Sequence, residues 1–270
     1  MNENREDLAS EDSLLDATKL VSNLGTRIRY QVYYLEKCGS TQDVARELAE
    51  KGAPEGVVVV AEEQESGRGR LGRRWFSGRG GLWFTVVLRP KPDALGLLSL
   101  GVGVAVGRVL RGLGISAGLK WPNDVLVDGR KAGGILVEGF TVPGDGIVAL
   151  VGVGLNVNNE LPHGLAEVSV ALREVVGARL SRLLLFLNLL REIDNVYLQL
   201  LEGRGEVILE EWRRLSVTLG KTVKIITADG EYIGVAVDVG SLGELYIDTG
   251  DGVRAFYAGD VVHLREVAPN

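Results

Sequence analysis

Residues 57–88 combine two apolar segments with a stretch rich in glycine and arginine; their sequence is VVVVAEEQESGRGRLGRRWFSGRGGLWFTVVL. The segments Val57–Ala61 and Leu82–Leu88 have the length and the β-branched and aromatic content of buried strands. Between them, over residues 64–75, glycines alternate with four arginines. This order predicts a sheet whose connecting loops are candidate site loops.

The chain on either side of this stretch predicts further strands and helices, and no internal repeat is present. Such a mixture favours the α+β class. The first predicted elements are a strand over Tyr30–Leu35, a helix that begins at Ser40 or Thr41 and ends at Gly52, and a packed helix from Leu97 to Leu113 whose glycines allow close approach to a sheet. A hairpin of Asp124–Asp128 and Ile135–Phe140, which turns at Asp128-Gly129, and a partner strand over Ile147–Val153 follow. The last two elements are a helix capped by Ser181 that runs to Leu201 and a final helix with Trp212.

The character of the sequence changes after Leu219-Gly220, where short strands alternate with turn signals such as Ala228-Asp229-Gly230 and Gly250-Asp251-Gly252. This pattern predicts a small all-β barrel of about 50 residues. We therefore expect three parts: a polar tail over residues 1–28 with at most a short helix, a main domain over residues 29–217, and the barrel over residues 218–270.

Composition disfavours several kinds of protein. With one cysteine, Cys38, and two histidines, His163 and His263, the chain lacks an internal disulfide and the ligands of a usual Cys/His zinc site. The same scarcity disfavours Ser-His-Asp or Cys-His catalysis. A net charge of −6 argues against general nucleic-acid binding. The apolar run Leu183–Leu190 is too short to span a bilayer and the N-terminus lacks a signal peptide's apolar core, so we expect a cytoplasmic protein without a membrane partner.

The stretch from Gly67 to Arg74 predicts an anion-binding loop. Glycine leaves backbone N–H groups accessible, and guanidinium groups bind carboxylate and phosphate oxygens two at a time. Gly67, Gly69 and Gly72 also satisfy G-x-G-x-x-G, but a dinucleotide site needs that pattern at a strand-to-helix turn, and Trp-Phe-Ser-Gly follows here. A solvated charged loop is the remaining alternative.

Two more segments carry polar groups near the ends of one predicted hairpin. They are KWPND at residues 120–124 and RKAGGILVE at residues 130–138, and the hairpin lets their side chains converge. Lys120 and Lys131 each offer a point charge to a phosphate or carboxylate. Asp124 can carry a magnesium ion through water. Taken singly, each of these is more often a surface charge or a turn residue.

Together these segments closely resemble the signature stretches of biotin protein ligases, in the family's order and over about residues 30–265. The resemblance implies a catalytic domain related to class II aminoacyl-tRNA synthetases, with helices on a mixed, largely antiparallel sheet, and a C-terminal SH3-like barrel. It rests on Gly39-Ser40-Thr41-Gln42, Gly-Arg-Gly-Arg-x-Gly-Arg at 67–73, Lys-Trp-Pro-Asn-Asp at 120–124, Lys-x-Gly-Gly-Ile-Leu-Val-Glu at 131–138 and Gly-x-Gly-x-Asn at 152–156.

The resemblance implies that ATP and biotin are substrates, with Mg²⁺, and that biotinyl-AMP is the intermediate. The implied catalytic residues are Arg70, Lys131 and Lys120. The implied biotin contacts are Ser40, Thr41, Gln42, Gln64, Arg68, Gly69, Arg70 and Lys131. The implied ATP or adenylate contacts are Arg68, Arg70, Trp75, Asn123, Asp124, Lys131 and Asn156, with Asp124 as the magnesium residue. Ser40 and Thr41 also suit a helix N-cap, with Asp43 completing a capping box, and both roles can coexist.

The implied partner is a biotin carboxyl carrier protein or domain of acetyl-CoA carboxylase or a related carboxylase. The 28 residues before the first strand are too few for a winged-helix DNA-binding domain, so we expect a ligase without repressor activity or a DNA partner, and we consider a homodimer. A lipoate or octanoyl transferase shares the fold, but the arginine loop and KWPND point away from it. A non-catalytic nucleotide- or RNA-binding module using the arginine loop is disfavoured by the acidic composition.

Overall fold

The structure is a computed structural model that describes residues 13–144 and 146–264; residues 1–12 of the predicted tail and 265–270 of the predicted barrel lie outside the described residues. The helices are α1 (Ala17–Leu20), flanked by 3-10 turns at Leu14–Asp16 and Val21–Asn23, α2 (Thr41–Glu50), α3 (Pro92–Leu95), α4 (Leu98–Gly112), α5 (Leu172–Val176), α6 (Arg182–Leu201) and α7 (Gly205–Leu215). The strands are β1 (Gln31–Cys38), β2 (Val57–Gln64), β3 (Leu82–Leu88), β4 (Ala117–Lys120), β5 (Asp124–Val127), β6 (Arg130–Val142), β7 (Gly146–Leu155), β8 (Thr222–Thr227), β9 (Gly230–Val239), β10 (Leu245–Asp248), β11 (Val253–Phe256) and β12 (Asp260–His263).

A seven-stranded sheet in the order β1-β2-β3-β7-β6-β5-β4 forms the centre of the larger part. β1 and β2 run parallel, with Gln31 opposite Val57, and the other neighbours are antiparallel. The predicted mixed, largely antiparallel sheet is therefore confirmed. β2 and β3 are neighbours, with Val58 opposite Val86, so the glycine- and arginine-rich stretch is the connection between two central strands.

The two faces of this sheet bury different partners because side chains alternate along each strand. On β2, Val58 and Val60 belong to the main hydrophobic core, which the helices α4, α6 and α7 help to form. Val57 and Val59 instead pack with Ala45 under helix α2. Because both faces of the strand are covered, β2 begins as a continuous apolar run rather than an alternating one.

Helix α4 confirms the packed helix predicted over residues 97–113, but its glycines do more than approach the sheet. A Cβ on Gly101 would lie 2.7 Å from Cγ1 of Val196 in α6, whereas a Cβ on Gly103 would lie 3.6 Å from Leu119 in β4. The first distance is too short for real atoms and the second is an ordinary contact. The glycine at position 101 is therefore required by helix–helix packing, which the sequence pattern did not indicate.

The described half of the predicted tail is part of the core. Leu14 and Ala17 are fully buried and Val21 and Leu24 are nearly so, all in the main hydrophobic cluster. These residues are spaced three, four and three positions apart, which is a helical period. The surrounding polar residues concealed this period, so the expectation of a tail is wrong for residues 14–24.

The N-terminal segment is held to helix α6 by polar contacts. The buried Asp194 carboxylate accepts hydrogen bonds from the backbone N–H groups of Arg27 at 3.1 Å and Ile28 at 2.8 Å. The Tyr30 hydroxyl donates to the Leu190 carbonyl at 3.0 Å. These contacts link residues about to enter β1 with a helix that is more than 150 positions later in the chain.

The predicted hairpin at Asp128-Gly129 is confirmed. Asp128 has φ +50° and Gly129 has φ +73°, the left-handed conformations that a two-residue hairpin turn requires. β6 begins at the turn itself, because Arg130 pairs with Val127, and not at Ile135 as the sequence predicted. Lys131 therefore lies within the sheet and not in a loop.

Helix α6 confirms the prediction from the apolar run at residues 183–190. Ser181 accepts a hydrogen bond from the Leu184 N–H at 3.3 Å and caps the helix, while Phe186 and Leu190 are fully buried. Among the residues described, no helix combines the length and apolar character needed to cross a membrane.

The C-terminal part is a five-stranded antiparallel sheet in the order β11-β10-β9-β8-β12. Val223, Ile225 and Ala236 are fully buried within it. The small all-β unit expected after Gly220 is confirmed as a sheet. The described hydrogen-bond ladders join each edge strand, β11 and β12, to one neighbour, so the SH3-like barrel is seen here as an antiparallel sheet and its closure stays an expectation.

We expect Asp194→Ala to lower the free energy of unfolding by about 2 kcal/mol, because two backbone donors, one of them buried, lose their acceptor. Asp194→Asn, which keeps one carbonyl oxygen, should lose about half as much. Urea denaturation of both variants measures this. A change below about 0.5 kcal/mol for the alanine variant would show that water replaces the carboxylate and that the contact does not hold the segment.

Candidate functional site

A cavity of about 440 Å³ lies between the large sheet, the glycine- and arginine-rich loop and the C-terminal sheet. The structure brings together around it all of the residues that the sequence singled out, although they come from five separated segments. Their individual roles stay predictions. These residues are Ser40, Thr41, Gln42, Gln64, Arg68, Gly69, Arg70, Trp75, Lys120, Asn123, Asp124, Lys131 and Asn156.

Ser40 is the N-cap of helix α2, as predicted, and its hydroxyl accepts a hydrogen bond from the Gln42 N–H at 3.3 Å. The expected capping box with Asp43 is wrong. The Asp43 carboxylate lies 2.7 Å from Nη2 of Arg68 in the loop. A guanidinium is a stronger partner for a carboxylate than a neutral N–H, so the charge contact replaces the local one.

Thr41 and Gln64 form a polar group where β2 ends. Gln64 Oε1 accepts a hydrogen bond from the Thr41 N–H at 2.8 Å and lies 3.1 Å from the Thr41 hydroxyl. Gln64 Nε2 donates to the Ser77 hydroxyl at 2.7 Å. Because an amide oxygen only accepts and an amide nitrogen only donates, these contacts fix the orientation of the Gln64 side chain.

The Gln42 amide is engaged by the protein itself. Its Nε2 donates to the carbonyls of Leu136 at 3.3 Å and Leu150 at 3.2 Å, and its Oε1 accepts from the Thr85 hydroxyl at 2.9 Å. Both N–H groups are used, so none is left to donate to a ligand. Gln42 therefore joins helix α2 to strands β6 and β7, and this is the role that its contacts support.

Thr85 is a site residue that the sequence analysis missed. It is fully buried in the middle of β3, it lines the cavity, and its hydroxyl lies 2.9 Å from the Thr41 hydroxyl. One signal could have found it, because Thr85 is the only hydroxyl-bearing residue in the strand Leu82–Leu88. A buried hydroxyl in an apolar strand must have a hydrogen-bond partner.

The arginine loop is closed on itself like a short hairpin. The Gly69 N–H donates to the Arg73 carbonyl at 2.7 Å, and the Trp75 N–H donates to the Gly67 carbonyl at 2.8 Å. Leu71 at the tip has φ +57°, a conformation that is unfavourable for leucine, and three-quarters of its surface is exposed. The loop therefore holds its arginines at defined positions beside the cavity.

Two of these arginines are ion-paired. Arg68 Nη2 lies 2.7 Å from the Asp43 carboxylate and 3.5 Å from that of Glu138. Arg73 pairs with Asp260, at the first position of β12. These contacts attach the loop to helix α2, to strand β6 and to the C-terminal sheet. Asp260 is a second site residue that the sequence did not indicate, since nothing near it resembles a binding motif.

Arg70 and Lys120 line the cavity without a carboxylate within ion-pair distance among the described residues; Arg70 Nη1 donates to the Gly259 carbonyl at 3.3 Å. Burial lowers the pKa of Arg70 from its ordinary value. Burial also lowers the pKa of Lys120, an effect that Asp124 opposes. Desolvated cations of this kind are costly unless an anion joins them.

Lys131 reaches the same cavity from β6 and is ion-paired. Its Nζ lies 2.6 Å from the Asp124 carboxylate and 5.1 Å from the centroid of the Trp75 ring. Its backbone N–H donates to the Val168 carbonyl at 2.8 Å, which adds a support outside the sheet. Lys131 and Asp124, predicted from the two ends of one hairpin, are therefore direct neighbours.

The amides of Asn123 and Asn156 are each held at one end. Asn123 Nδ2 donates to the Ile135 carbonyl at 2.8 Å, and Asn156 Oδ1 accepts from Asn159 Nδ2 at 3.1 Å. The other end of each amide has no hydrogen bond to a described residue. Asn123 can therefore offer an acceptor to a ligand and Asn156 a donor.

Glycines on β7 make room for the side chains that surround the cavity. A Cβ on Gly152 would lie 2.7 Å from Gln42 Oε1, and one on Gly154 would lie 2.7 Å from Trp75 Nε1. The Trp75 indole N–H is buried without an acceptor among the described residues, which is an uncommon cost for a protein. The small residues in G-x-G-x-N therefore admit protein side chains, in addition to the ligand approach that the sequence suggested.

The C-terminal sheet forms one wall of the cavity and holds the KWPND turn. The Trp121 backbone N–H donates to the Thr218 hydroxyl at 3.1 Å, and its indole N–H donates to the Gly243 carbonyl at 2.9 Å. The Thr218 hydroxyl in turn lies 3.3 Å from Nε2 of His263. The position of Lys120, next to Trp121, therefore depends on the C-terminal part of the chain.

Two family models match the chain: the Biotin/lipoate A/B protein ligase family over residues 34–158 and the Biotin protein ligase C terminal domain over residues 218–264. The chain is 31% identical over 264 residues to the "Bifunctional ligase/repressor BirA" of Bacillus subtilis (strain 168), covering 94% of this chain and 81% of that protein. It is 35% identical over 245 residues to the "Biotin--[acetyl-CoA-carboxylase] ligase" of Mycobacterium tuberculosis, covering 87% of this chain and 90% of that protein.

Among solved structures, the biotin protein ligase from Aquifex aeolicus in complex with biotin and ATP aligns with a TM-score of 0.76 and 30% identity, covering 87% of this chain and 99% of that one. The fold is thus that of the ligase class that includes biotin and lipoate protein ligases. With the C-terminal match and relatives of this identity along most of their length, the chain belongs to the biotin protein ligase family.

We expect Gly154→Ala to displace the Trp75 ring, because the new methyl group would lie 2.7 to 3.3 Å from rigid indole atoms. The free energy of unfolding should fall by about 1–3 kcal/mol, the usual cost of overpacking. Gly112→Ala is the matched control, since a Cβ there has no neighbour within 4 Å. Urea denaturation measures the free energy of unfolding of both variants. Equal values for Gly154→Ala and Gly112→Ala would contradict the close contact between Gly154 and the Trp75 ring.

As the pH rises, we expect Lys120 to lose its proton, and with it its affinity for anions, at a pH lower than the ordinary pKa of lysine, because burial lowers its pKa in the folded protein. The unfolded chain keeps this proton over the same pH window, so the contribution of Lys120 to stability rises with pH there while anion affinity falls. Titration with inorganic triphosphate at increasing pH measures the affinity. Lys120→Arg, which stays charged, should lose less affinity in alkali; identical losses in both proteins would refute this.

Proposed function

We propose that this chain activates biotin with ATP as biotinyl-AMP and transfers the biotin to a lysine of a biotin carboxyl carrier protein or domain. The observation that carries the proposal is the position of Arg70 and Lys120, two partly buried cations without a carboxylate partner among the described residues, in one cavity with the polar group of Thr41 and Gln64. Such a cavity suits a ligand with a polar head and a carboxylate, together with a nucleotide phosphate.

In the first half-reaction, a carboxylate oxygen of biotin attacks the α-phosphorus of ATP. The new bond is an acyl–phosphate anhydride, the α–β phosphoanhydride bond breaks, and pyrophosphate leaves with its electron pair. Two anions must therefore meet, and the main work of the enzyme is to align them and neutralise the charge that builds on the phosphate. Protein nucleophiles are not required, which agrees with the lack of a catalytic triad signature in the sequence.

The cations that could do this work differ in their present partners. Arg70 and Lys120 have no ion pair among the described residues, whereas Lys131 is already paired with Asp124 and has further N–H groups to offer a ligand. Arg68 is the least available, since two carboxylates hold it, and its contacts support positioning of the loop; its predicted contacts with biotin and adenylate stay predictions.

In the second half-reaction, the neutral amine of the carrier lysine attacks the acyl carbon of biotinyl-AMP. The bond between that carbon and the phosphate oxygen breaks, AMP leaves, and the proton of the amine passes to solvent. An adenylate exposed to water would hydrolyse, so a cavity covered by the arginine loop also protects the intermediate.

Mg²⁺ is part of the proposal as the ion that accompanies ATP. Within the described residues there is no group of three or more His, Cys, Asp or Glu side chains that could hold a metal. Asp124 offers a single carboxylate and already lies 2.6 Å from Lys131. These residues do not fit a metal site built by the protein alone, and the protein's own contribution at the phosphate is assigned to its cations.

Several expectations stay predictions. They are a cytoplasmic location, where ATP is available, a homodimer, and the lack of a DNA partner. A carboxylase carrier domain is the proposed acceptor because the M. tuberculosis relative is named for such a carboxylase.

A transfer assay with radiolabelled biotin tests the proposed function. We expect label to appear on a purified biotin carboxyl carrier domain only when ATP and the enzyme are both present, and not on a carrier whose acceptor lysine is replaced by arginine. Lipoic acid at the same concentration should neither compete nor be transferred. ATP-dependent transfer of lipoate in place of biotin would overturn the proposal.

We expect Arg70→Ala to form less adenylate, or to release it, while the fold survives. The loss of one donor that stabilises charge lowers such rates by on the order of 10². Pyrophosphate release and the adenylate retained after gel filtration measure the two effects. Arg179→Ala, at an exposed site, is the control; unchanged formation and retention in the Arg70 variant would exclude this role.

We expect Lys131→Ala to slow adenylate formation by on the order of 10² or more. The variant also leaves Asp124 without its cation, so the double variant Lys131→Ala/Asp124→Asn separates the two causes. If the double variant regains the wild-type rate of pyrophosphate release, Lys131 serves only to neutralise Asp124. A wild-type rate in the single variant would likewise contradict the role.

A further inference from the structure

A chain of hydrogen bonds runs from the large sheet to the part of the cavity where Ser40 and Thr41 lie. Its members are Gln42, Thr85 and Thr41, and all three are buried. The hydroxyl of Thr85 stands in the middle, 2.9 Å from Gln42 Oε1 and 2.9 Å from the Thr41 hydroxyl. The resemblance and the proposed function assign no role to Thr85.

The direction of this chain is set at the Gln42 end. The carbonyls of Leu136 and Leu150 accept both N–H groups of the Gln42 amide, so its oxygen must face Thr85. An amide oxygen cannot donate. The Thr85 hydroxyl therefore gives its only proton to Gln42 and can only accept at its other contact.

The orientation of the Thr85 hydroxyl in turn determines which way the Thr41 hydroxyl donates its proton. Among the described residues, the Thr41 hydroxyl has two hydrogen-bond neighbours, the Thr85 hydroxyl at 2.9 Å and Gln64 Oε1 at 3.1 Å, and both can only accept. Its single proton is therefore directed into the protein, and a lone pair is left for the cavity. The Ser40 oxygen accepts from the Gln42 N–H, and its own proton has no acceptor among the described residues, so that proton is left for a ligand.

We infer that Thr85 is a positioning residue that holds the Thr41 hydroxyl as an acceptor and so selects a ligand ring with an N–H at that point. The inference rests on the proposed function. A cyclic urea such as the ring of biotin presents N–H donors beside a carbonyl acceptor, which matches an accepting Thr41 next to a donating Ser40. A ring with oxygen in place of the N–H would bring two hydrogen-bond acceptors, the ring oxygen and the Thr41 hydroxyl oxygen, together without a proton between them.

The test compares biotin with its two ring carbamates, in each of which an oxygen replaces one N–H. Biotin-dependent pyrophosphate release gives kcat and KM for each ligand. For the wild-type enzyme, we expect one of the two carbamates to have a kcat/KM lower than that of biotin by on the order of 10², the size of effect produced when a buried polar group is left unpaired.

Thr85→Val removes the hydroxyl and keeps the shape of the side chain. Thr41 then keeps only Gln64 Oε1, which already accepts the Thr41 N–H, so its hydroxyl can turn and donate to a ring oxygen. We expect the ratio of kcat/KM for biotin to kcat/KM for that carbamate to fall about tenfold. The KM for biotin should rise, and the KM for ATP should stay unchanged. Thr85→Ser restores the hydroxyl and should restore the preference.

The outcomes separate the two proposals. A wild-type enzyme without biotin-dependent pyrophosphate release overturns the proposed function. If the wild type is active and folded Thr85→Val keeps the wild-type ratio of kcat/KM for biotin to kcat/KM for the carbamate, the role of Thr85 is overturned. A Thr85→Ser variant in which this ratio falls as much as in the valine variant overturns it too. If Thr85→Val does not fold, Thr85→Ala, which also lacks the hydroxyl and adds no bulk, takes its place in the same comparison.

Discussion

A cation that is partly removed from water needs a negative partner, and this requirement organises the whole cavity. Lys131 meets it with Asp124. Two more exposed loop arginines, Arg68 and Arg73, also pair with carboxylates, from helix α2, strand β6 and strand β12. Arg70 and Lys120 have no such partner among the described residues. Among the cations that line the cavity, the protein therefore supplies counter-charges for Lys131, Arg68 and Arg73, leaves Arg74 exposed to solvent, and gives the partly buried Arg70 and Lys120 no carboxylate partner within the described residues.

The same pairs make the site dependent on the whole fold. The arginine loop lies between two central strands in sequence, yet its arginines are held by the N-terminal turn of α2 on one side and by the C-terminal sheet on the other. The Lys120 turn is held by Thr218 and Gly243 through Trp121. The geometry of the cavity therefore depends on the contact between the large sheet and the C-terminal part of the chain.

Much of the fold could be predicted because it rests on local patterns. Strand Leu82–Leu88 has the bounds that its apolar run predicted, and the turn at Asp128-Gly129 is where its residues require it. The misses have different causes. Polar neighbours hid the helical period of residues 14–24. The Asp43 carboxylate pairs with an arginine from another element and does not form the capping box. Thr85 lies in an apolar strand, and the sequence shows no partner for its hydroxyl.

The sequence by itself determined the order of most strands and helices, the position of a candidate anion-binding loop at residues 67–74 and the family, since periodicity, turn chemistry and motif order are properties of neighbouring residues. It also identified many of the residues that line the cavity, although not Thr85 or Asp260. Only the tertiary structure decided which cation is neutralised and which is free, which amides are already used, and which way the Thr41 hydroxyl points. Those properties depend on distances of a few ångströms between groups far apart in the chain, as with Arg70 and Gly259, 189 positions apart, and no local pattern encodes such distances.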